Sequence, residues 1–179
     1  QGFLNEQKYM RGILAGGTFC YQSQQIMQAA GYSINSNSPF DQKFLLEDPD
    51  KSIENTIVDM GSDYYTLGKP HPMIDGTMRR RRILSEGLDP QVAVMYLDFI
   101  LGFNASMDPA GELVEAIREA KQMAGKRGGS LAVIASICGT EADPQDMNLQ
   151  VKILQEAGVL VFHSNALATT ACCKILEQE

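Results

Sequence analysis

Three short segments of this chain, and one that follows them, carry residue types suited to chemistry. In Gly16-Gly17-Thr18 two glycines let backbone N–H groups approach an anion, Thr18 adds a hydroxyl donor, and the start of a helix there would favour negative charge. A glycine pair is also the ordinary way to turn tightly from strand to helix. The full Gly-x-Gly-x-x-Gly and Gly-Lys-Ser/Thr patterns are missing, so a nucleotide P-loop is not supported. In Pro70-His71-Pro72-Met73-Ile74-Asp75 an imidazole stands between two prolines, four residues before a carboxylate, and the pair suits acid–base or nucleophilic work. The alternative is a rigid surface His71, with Asp75 capping the next helix. Asp98 stands at the end of an otherwise apolar strand closing on Leu97-Asp98-Phe99, where a carboxylate is costly unless solvated or paired. It is the strongest single functional candidate, and its alternative is a strand-end Asp capping the loop through Gly102-Phe103-Asn104. The fourth segment, Cys138-Gly139-Thr140-Glu141-Ala142-Asp143, leads into a helix start, but its two acids disfavour an anion.

Other reactive residues point to structure. Arg79 to Arg82 would suit phosphate or CoA-phosphate recognition, yet four consecutive residues cover every side of a helical turn, and a solvated face is the preferred reading. Cys172-Cys173 lie in an apolar helix and read as core packing, and His163 as a strand-end polar residue. The four cysteines form no Cys-x-x-Cys, and the two histidines do not cluster, so neither a disulfide framework nor a metal site is expected. With 15 basic and 22 acidic residues the net charge is −7, which argues against nucleic acid and anionic membrane as partners. No apolar run reaches the roughly 20 residues of a membrane span, and the reading is of a reducing, cytoplasmic protein. The chain opens on Gln1-Gly2 without Met, as a piece of a longer polypeptide would.

The elements that must position these residues follow from periodicity. Tyr9–Ala15 reads as a strand, with a helix from the glycine turn to about Ala30, where Gly31 can stop it. Residues 32–55, rich in Asn, Ser, Asp and Pro, form a surface excursion with a mobile tip and one short helical turn near 44–46. Residues 56–61 read as a second strand and about 76–86 as a helix. Strands at 92–99, 131–137 and 159–162 then alternate with helices at 109–124, 145–157 and a last one to the C-terminus. Asp108-Pro109 and Asp143-Pro144 each place a capping carboxylate before proline at the first helical position. The pattern predicts a single domain over 1–179, a three-layer α/β/α flavodoxin-like sandwich with a five-stranded parallel sheet in the order 2-1-3-4-5.

These loops, in this order, resemble the CoA-ligase domain of the succinyl-CoA synthetase superfamily, most closely that of FdrA-type acyl-CoA synthetase-like proteins. The resemblance covers about residues 9–178. It rests on R-G-I-L-A-G-G-T-F-C-Y-Q-S from Arg11, G-K-P-H-P-M-I-D from Gly68, D-P-Q-V-A-V-M-Y-L-D-F-I-L-G from Asp89 and L-Q-E-A-G-V from Leu154. In that superfamily a Gly-Thr turn aims the first helix at a phosphorylated histidine, and Gly16, Gly17 and Thr18 match the turn. An acid at the end of the third strand helps hold that histidine, and Asp98 matches it. The histidine itself belongs to a glycine-rich loop after the fourth strand, whereas here residues 138–145 contain none. The resemblance implies handling of an acyl or carboxyl group through phosphate or acyl phosphate, with CoA or carbamoyl phosphate as ligands. It also implies an upstream CoA-binding domain, a partner domain or subunit of the same superfamily, and an oligomer. No flavin is expected, because the first loop lacks a run of Ser/Thr donors. The expectation is that Asp98→Asn abolishes turnover and preserves folding. A docking module that has lost its chemistry is the alternative.

Overall fold

The computed structural model describes residues 2–177. Five strands, β1 (Tyr9–Leu14), β2 (Thr56–Asp59), β3 (Val92–Ile100), β4 (Ala132–Cys138) and β5 (Val159–Phe162), form one parallel sheet in the expected order β2-β1-β3-β4-β5. Parallel strands need crossovers, and the helices supply them: α1 (Gly17–Ala29), α2 (Asp63–Thr66), α3 (Thr77–Leu88), α4 (Pro109–Lys126), α5 (Met147–Glu156) and α6 (Asn165–Leu176). Helices α1 and α6 pack together on one face and α3, α4 and α5 on the other. Side-chain alternation along the strands divides the core accordingly. Met10, Leu14, Val94 and Tyr96 face α1 and α6, and Ile13, Met95, Leu97 and Phe99 face α3 to α5.

The strand order reverses between β1 and β3, so the crest above their carboxyl ends is where this topology places a ligand. One helix start and one added element differ from expectation. Helix α5 is capped by Asp146, which accepts from Leu149 N, rather than by Asp143. Asp143 instead folds back onto Thr140 N at 2.6 Å, and Gln145 is buried with its amide bound to Gly102 and Ser106, so the helix starts beyond both. The short α2 has no counterpart in the sequence pattern; it is fixed by tertiary contact, with Tyr65 donating its hydroxyl to Pro49 O at 2.6 Å. The excursion after α1 does hold one short turn, Gln42–Phe44. It is sewn down where Gln24 takes Phe40 N and donates to Ser38 O, and where Asn35 bridges to Thr56.

Candidate functional site

Gly16 is the N-cap of α1, with φ −158° and ψ 149°. That is extended backbone open to any residue, and a Cβ placed there would meet nothing within 4 Å. Neither sterics nor conformation requires glycine at this position, so a tight turn does not account for it. No side chain caps the helix, and the N–H groups of its first turn have no intrahelical acceptors. Thr18 is exposed on that turn. A Cβ on Gly17 would lie 3.2 Å from Asp59 Oδ2, so the glycine admits the end of β2 to the helix start.

Asp98 holds the turn from below. Fully buried at the end of β3, its Oδ1 accepts from Ala15 N at 2.8 Å and from Arg79 Nη2 at 2.9 Å. The same guanidinium nitrogen also donates to Asp98 O at 2.6 Å and Ile13 O at 3.1 Å, tying α3 to the ends of β1 and β3. Burial pushes the Asp98 carboxyl above its ordinary range, while Arg79 and then the Ala15 N–H pull it back. Asp98 Oδ2 and Arg79 Nε are buried without a partner among the described residues.

The arginine run is thus not a solvated face. Arg79 and Arg82 are buried, and only Arg80 and Arg81 are exposed. Arg82 pairs with Glu86 at 2.6 Å and holds Pro49 O and Ser52 Oγ; Glu86 in turn takes Arg11 at 3.0 Å, so these charges form a structural network beneath the crest. Because Asp98 is the counter-ion of a buried arginine, Asp98→Asn would not leave folding untouched. Stranding one member of a buried pair costs about 3–5 kcal/mol.

The structure brings His71 to the crest beside a different carboxylate from the one its spacing suggested. Asp75 is exposed and its Oδ1 accepts from Thr77 N at 2.8 Å, a bond that serves the start of α3; the Thr77 hydroxyl and then this N–H hold the Asp75 carboxyl below the ordinary range. The carboxylate near His71 is Asp59, at the end of β2. A Cβ on Gly61 would lie 2.8 Å from His71 Nε2, 3.2 Å from Asp59 Oδ1 and 2.5 Å from Ala15 O, so glycine is required for these groups to meet. Asp59 Oδ1 accepts from Gly61 N at 2.9 Å, while Asn37 pairs with the Asp59 backbone through both its oxygen and its nitrogen. Burial pushes the Asp59 carboxyl up, and the Gly61 N–H and His71 oppose that shift. The signal for Asp59 was present in the sequence: a carboxylate at the end of a short apolar strand, as Asp98 stands near the end of its own.

The remaining candidates stand apart. His163 is exposed after β5, and Cys138 is exposed at the end of β4. Cys172 and Cys173 are buried in the core with their thiols pushed up by burial. Among the described residues no group of three or more His, Cys, Asp or Glu could hold a metal ion, and no helix is long and apolar enough to cross a membrane.

The chain is similar to known proteins in sequence and in fold. The sequence profile described as CoA-ligase matches residues 13–175. Uncharacterized protein YahF of Escherichia coli (strain K12) is 40% identical over 173 residues, which are 94% of this chain and 34% of that protein. Among solved structures, PH0766 from Pyrococcus horikoshii OT3 superposes with a TM-score of 0.63 at 13% identity, over 99% of this chain and 37% of that one. The dinucleotide-forming acetyl-coenzyme A synthetase 1 of Ca. Korarchaeum cryptofilum, solved with phosphate and ADP, gives 0.61 at 17% identity, over 99% and 34%. At such identities the two structures show a shared fold. The chain spans about a third of the length of each of these relatives.

Proposed function

The chain belongs to the CoA-ligase family, and on that premise we propose that it is the acyl-handling domain of an FdrA-like acyl-CoA synthetase, acting on an acyl or carboxyl group through phosphate or an acyl phosphate. The observation that carries this reading is the open start of α1, which no side chain caps and where neither sterics nor backbone conformation demands glycine. The N–H groups of Gly16, Gly17 and Thr18 hold a phosphoryl oxygen, favoured by the helix dipole. Asp98 is a positioning residue that sets the turn through Ala15 N, and His71 faces the same space from the far side of Gly61. Asp75 has no part beyond the start of α3.

A phosphohistidine relay through the loop after β4 has no residue to use, since 139–146 contain no histidine. The acyl phosphate therefore reacts without that intermediate, and carbamoyl phosphate is the alternative member of the same class. CoA binding falls to a partner domain or subunit of the same superfamily, a division that the relatives' greater length supports.

An amide-resolved NMR titration tests the reading: inorganic phosphate, then carbamoyl phosphate, then CoA, with chloride at matched ionic strength. Saturable shifts confined to 16–18, 59–61 and 71 are expected. Shifts reproduced by chloride, or none at all, would refute the anion site and favour a docking role.

A further inference from the structure

The orientation of His71 separates two roles for an imidazole at this crest. Its Nδ1 accepts a hydrogen bond from Met73 N at 3.2 Å. A backbone N–H can only donate, so Nδ1 carries no proton in this arrangement, and the proton of a neutral ring resides on Nε2. Pro70 and Pro72 stiffen the backbone on both sides. The Nε2 lies 2.8 Å from the point where a Gly61 Cβ would stand, a point 3.2 Å from Asp59 Oδ1 and 2.5 Å from Ala15 O, so the ring nitrogen and both oxygens border one small space and the carboxylate favours a proton on the nitrogen that faces it. No hydrogen bond engages Nε2 among the described residues.

From this we infer that His71 is a fixed neutral hydrogen-bond donor, offering its Nε2–H to an oxygen of the anion held over α1, and that Asp59 is the positioning residue that keeps the proton on that nitrogen. The inference rests on the phosphate reading given above and assigns its side-chain donor. It also separates His71 from the role of phosphoryl carrier. Attack on phosphorus uses the Nε2 lone pair, so the proton must first sit on Nδ1, where it would point at the Met73 N–H and break the bond that orients the ring. Acid–base work meets the same obstacle, since an imidazolium also needs a proton on Nδ1. A neutral donor polarises a bound oxyanion without a proton changing hands.

Three measurements on the whole chain test this. Long-range 1H–15N correlation of the imidazoles at neutral pH, without ligand, is expected to give His71 an unprotonated Nδ1 and a protonated Nε2. The opposite tautomer, or two protonated nitrogens, would overturn the inference. Incubation with acetyl phosphate or carbamoyl phosphate, followed by 31P NMR, is expected to show no phosphoramidate; an acid-labile phosphate on His71 would overturn it. In phosphate titrations His71→Ala is expected to bind roughly tenfold more weakly, as loss of a hydrogen bond to a charged group implies, with part of the loss restored by His71→Gln. Asp59→Asn should shift the tautomer population without abolishing the fold. If wild type takes no phosphate, the anion reading fails and the donor's ligand with it. If wild type binds and His71→Ala binds equally well, the anion site stands and this inference falls.

Discussion

Placing a carboxylate at Gly16 sets folding and binding against each other. Gly16→Asp fits without strain, because the backbone there is extended and a Cβ meets nothing within 4 Å. Aspartate is a better N-cap than glycine by a few tenths of a kcal/mol, and a negative charge at a helix start adds about 0.3–1 kcal/mol more. Asp59 Oδ2, 3.2 Å from the Cβ position of the next residue, offsets part of that gain by repulsion. For a phosphate the change is adverse twice. The new side chain takes the N–H groups that the ligand would use, and it sets a unit charge about 4 Å from a phosphoryl oxygen, a repulsion of about 1 kcal/mol in water and about 4 kcal/mol at the effective dielectric of a protein surface. The variant should therefore unfold at equal or higher urea concentration than wild type while binding phosphate at least about fivefold more weakly. Urea unfolding followed by circular dichroism gives the first quantity, and calorimetric or NMR titration at fixed ionic strength gives the second. Gly16→Ala, which adds no charge, is the control: it should leave phosphate binding nearly unchanged and lower stability by up to about 1 kcal/mol, since alanine is a poorer N-cap than glycine. A folded Gly16→Asp protein that binds phosphate within twofold of wild type would refute the placement of the anion at α1.

Three further perturbations follow from the same crest. Arg79→Met strands the fully buried Asp98 carboxylate and should cost about 3–5 kcal/mol in urea unfolding, while the double change Arg79→Met/Asp98→Leu should recover much of it; equal losses in both would mean the pair is not the cause. Gly61→Ala forces a Cβ to 2.5 Å from Ala15 O, a backbone atom that cannot swing away, and should destabilise by about 1–3 kcal/mol while moving the His71 ring resonances. Because burial raises the folded-state pKa of Asp59 above that of the unfolded chain, its proton is held more tightly in the folded protein. Wild type should then lose stability relative to Asp59→Asn as pH rises from the ordinary carboxylate range through the raised value, and the difference should stay level above it. A wild-type curve parallel to that of the variant across this window would show that the carboxyl is not perturbed.

Why the sheet was legible in the sequence and the site only partly so can be argued from single residues. A central parallel strand is buried on both faces, so Val92 to Phe99 and residues 132–137 announce themselves as continuous apolar runs, and Asp108-Pro109 marks a helix start through local geometry alone. Asp98 stands out by the same logic, since an ionisable group at the end of such a run needs a partner. Its partner was not visible, because Arg79 is brought to it by the packing of α3 on β1 and β3 and lies within four identical residues. Local pattern treats those four alike, whereas the helix periodicity places positions 79 and 82 on one side, toward the sheet, and 80 and 81 toward solvent. The His71–Asp75 spacing misled for a related reason: a short Asx turn uses Asp75 up on Thr77 N, two residues away, before it can reach any imidazole. The carboxylate that does meet His71 comes from 12 residues upstream across the sheet crest, a proximity set by Gly61 and by Asn37 pairing with the end of β2. Applied evenly, the rule that singles out Asp98 singles out Asp59 as well, since both stand at or near the ends of apolar strands flanking β1. Two acids at the carboxyl ends of the strands on either side of a single uncapped helix start are a costly arrangement for folding. The buried Arg79 offsets the charge of one, and beside the other stands His71, whose Nε2 makes no hydrogen bond among the described residues.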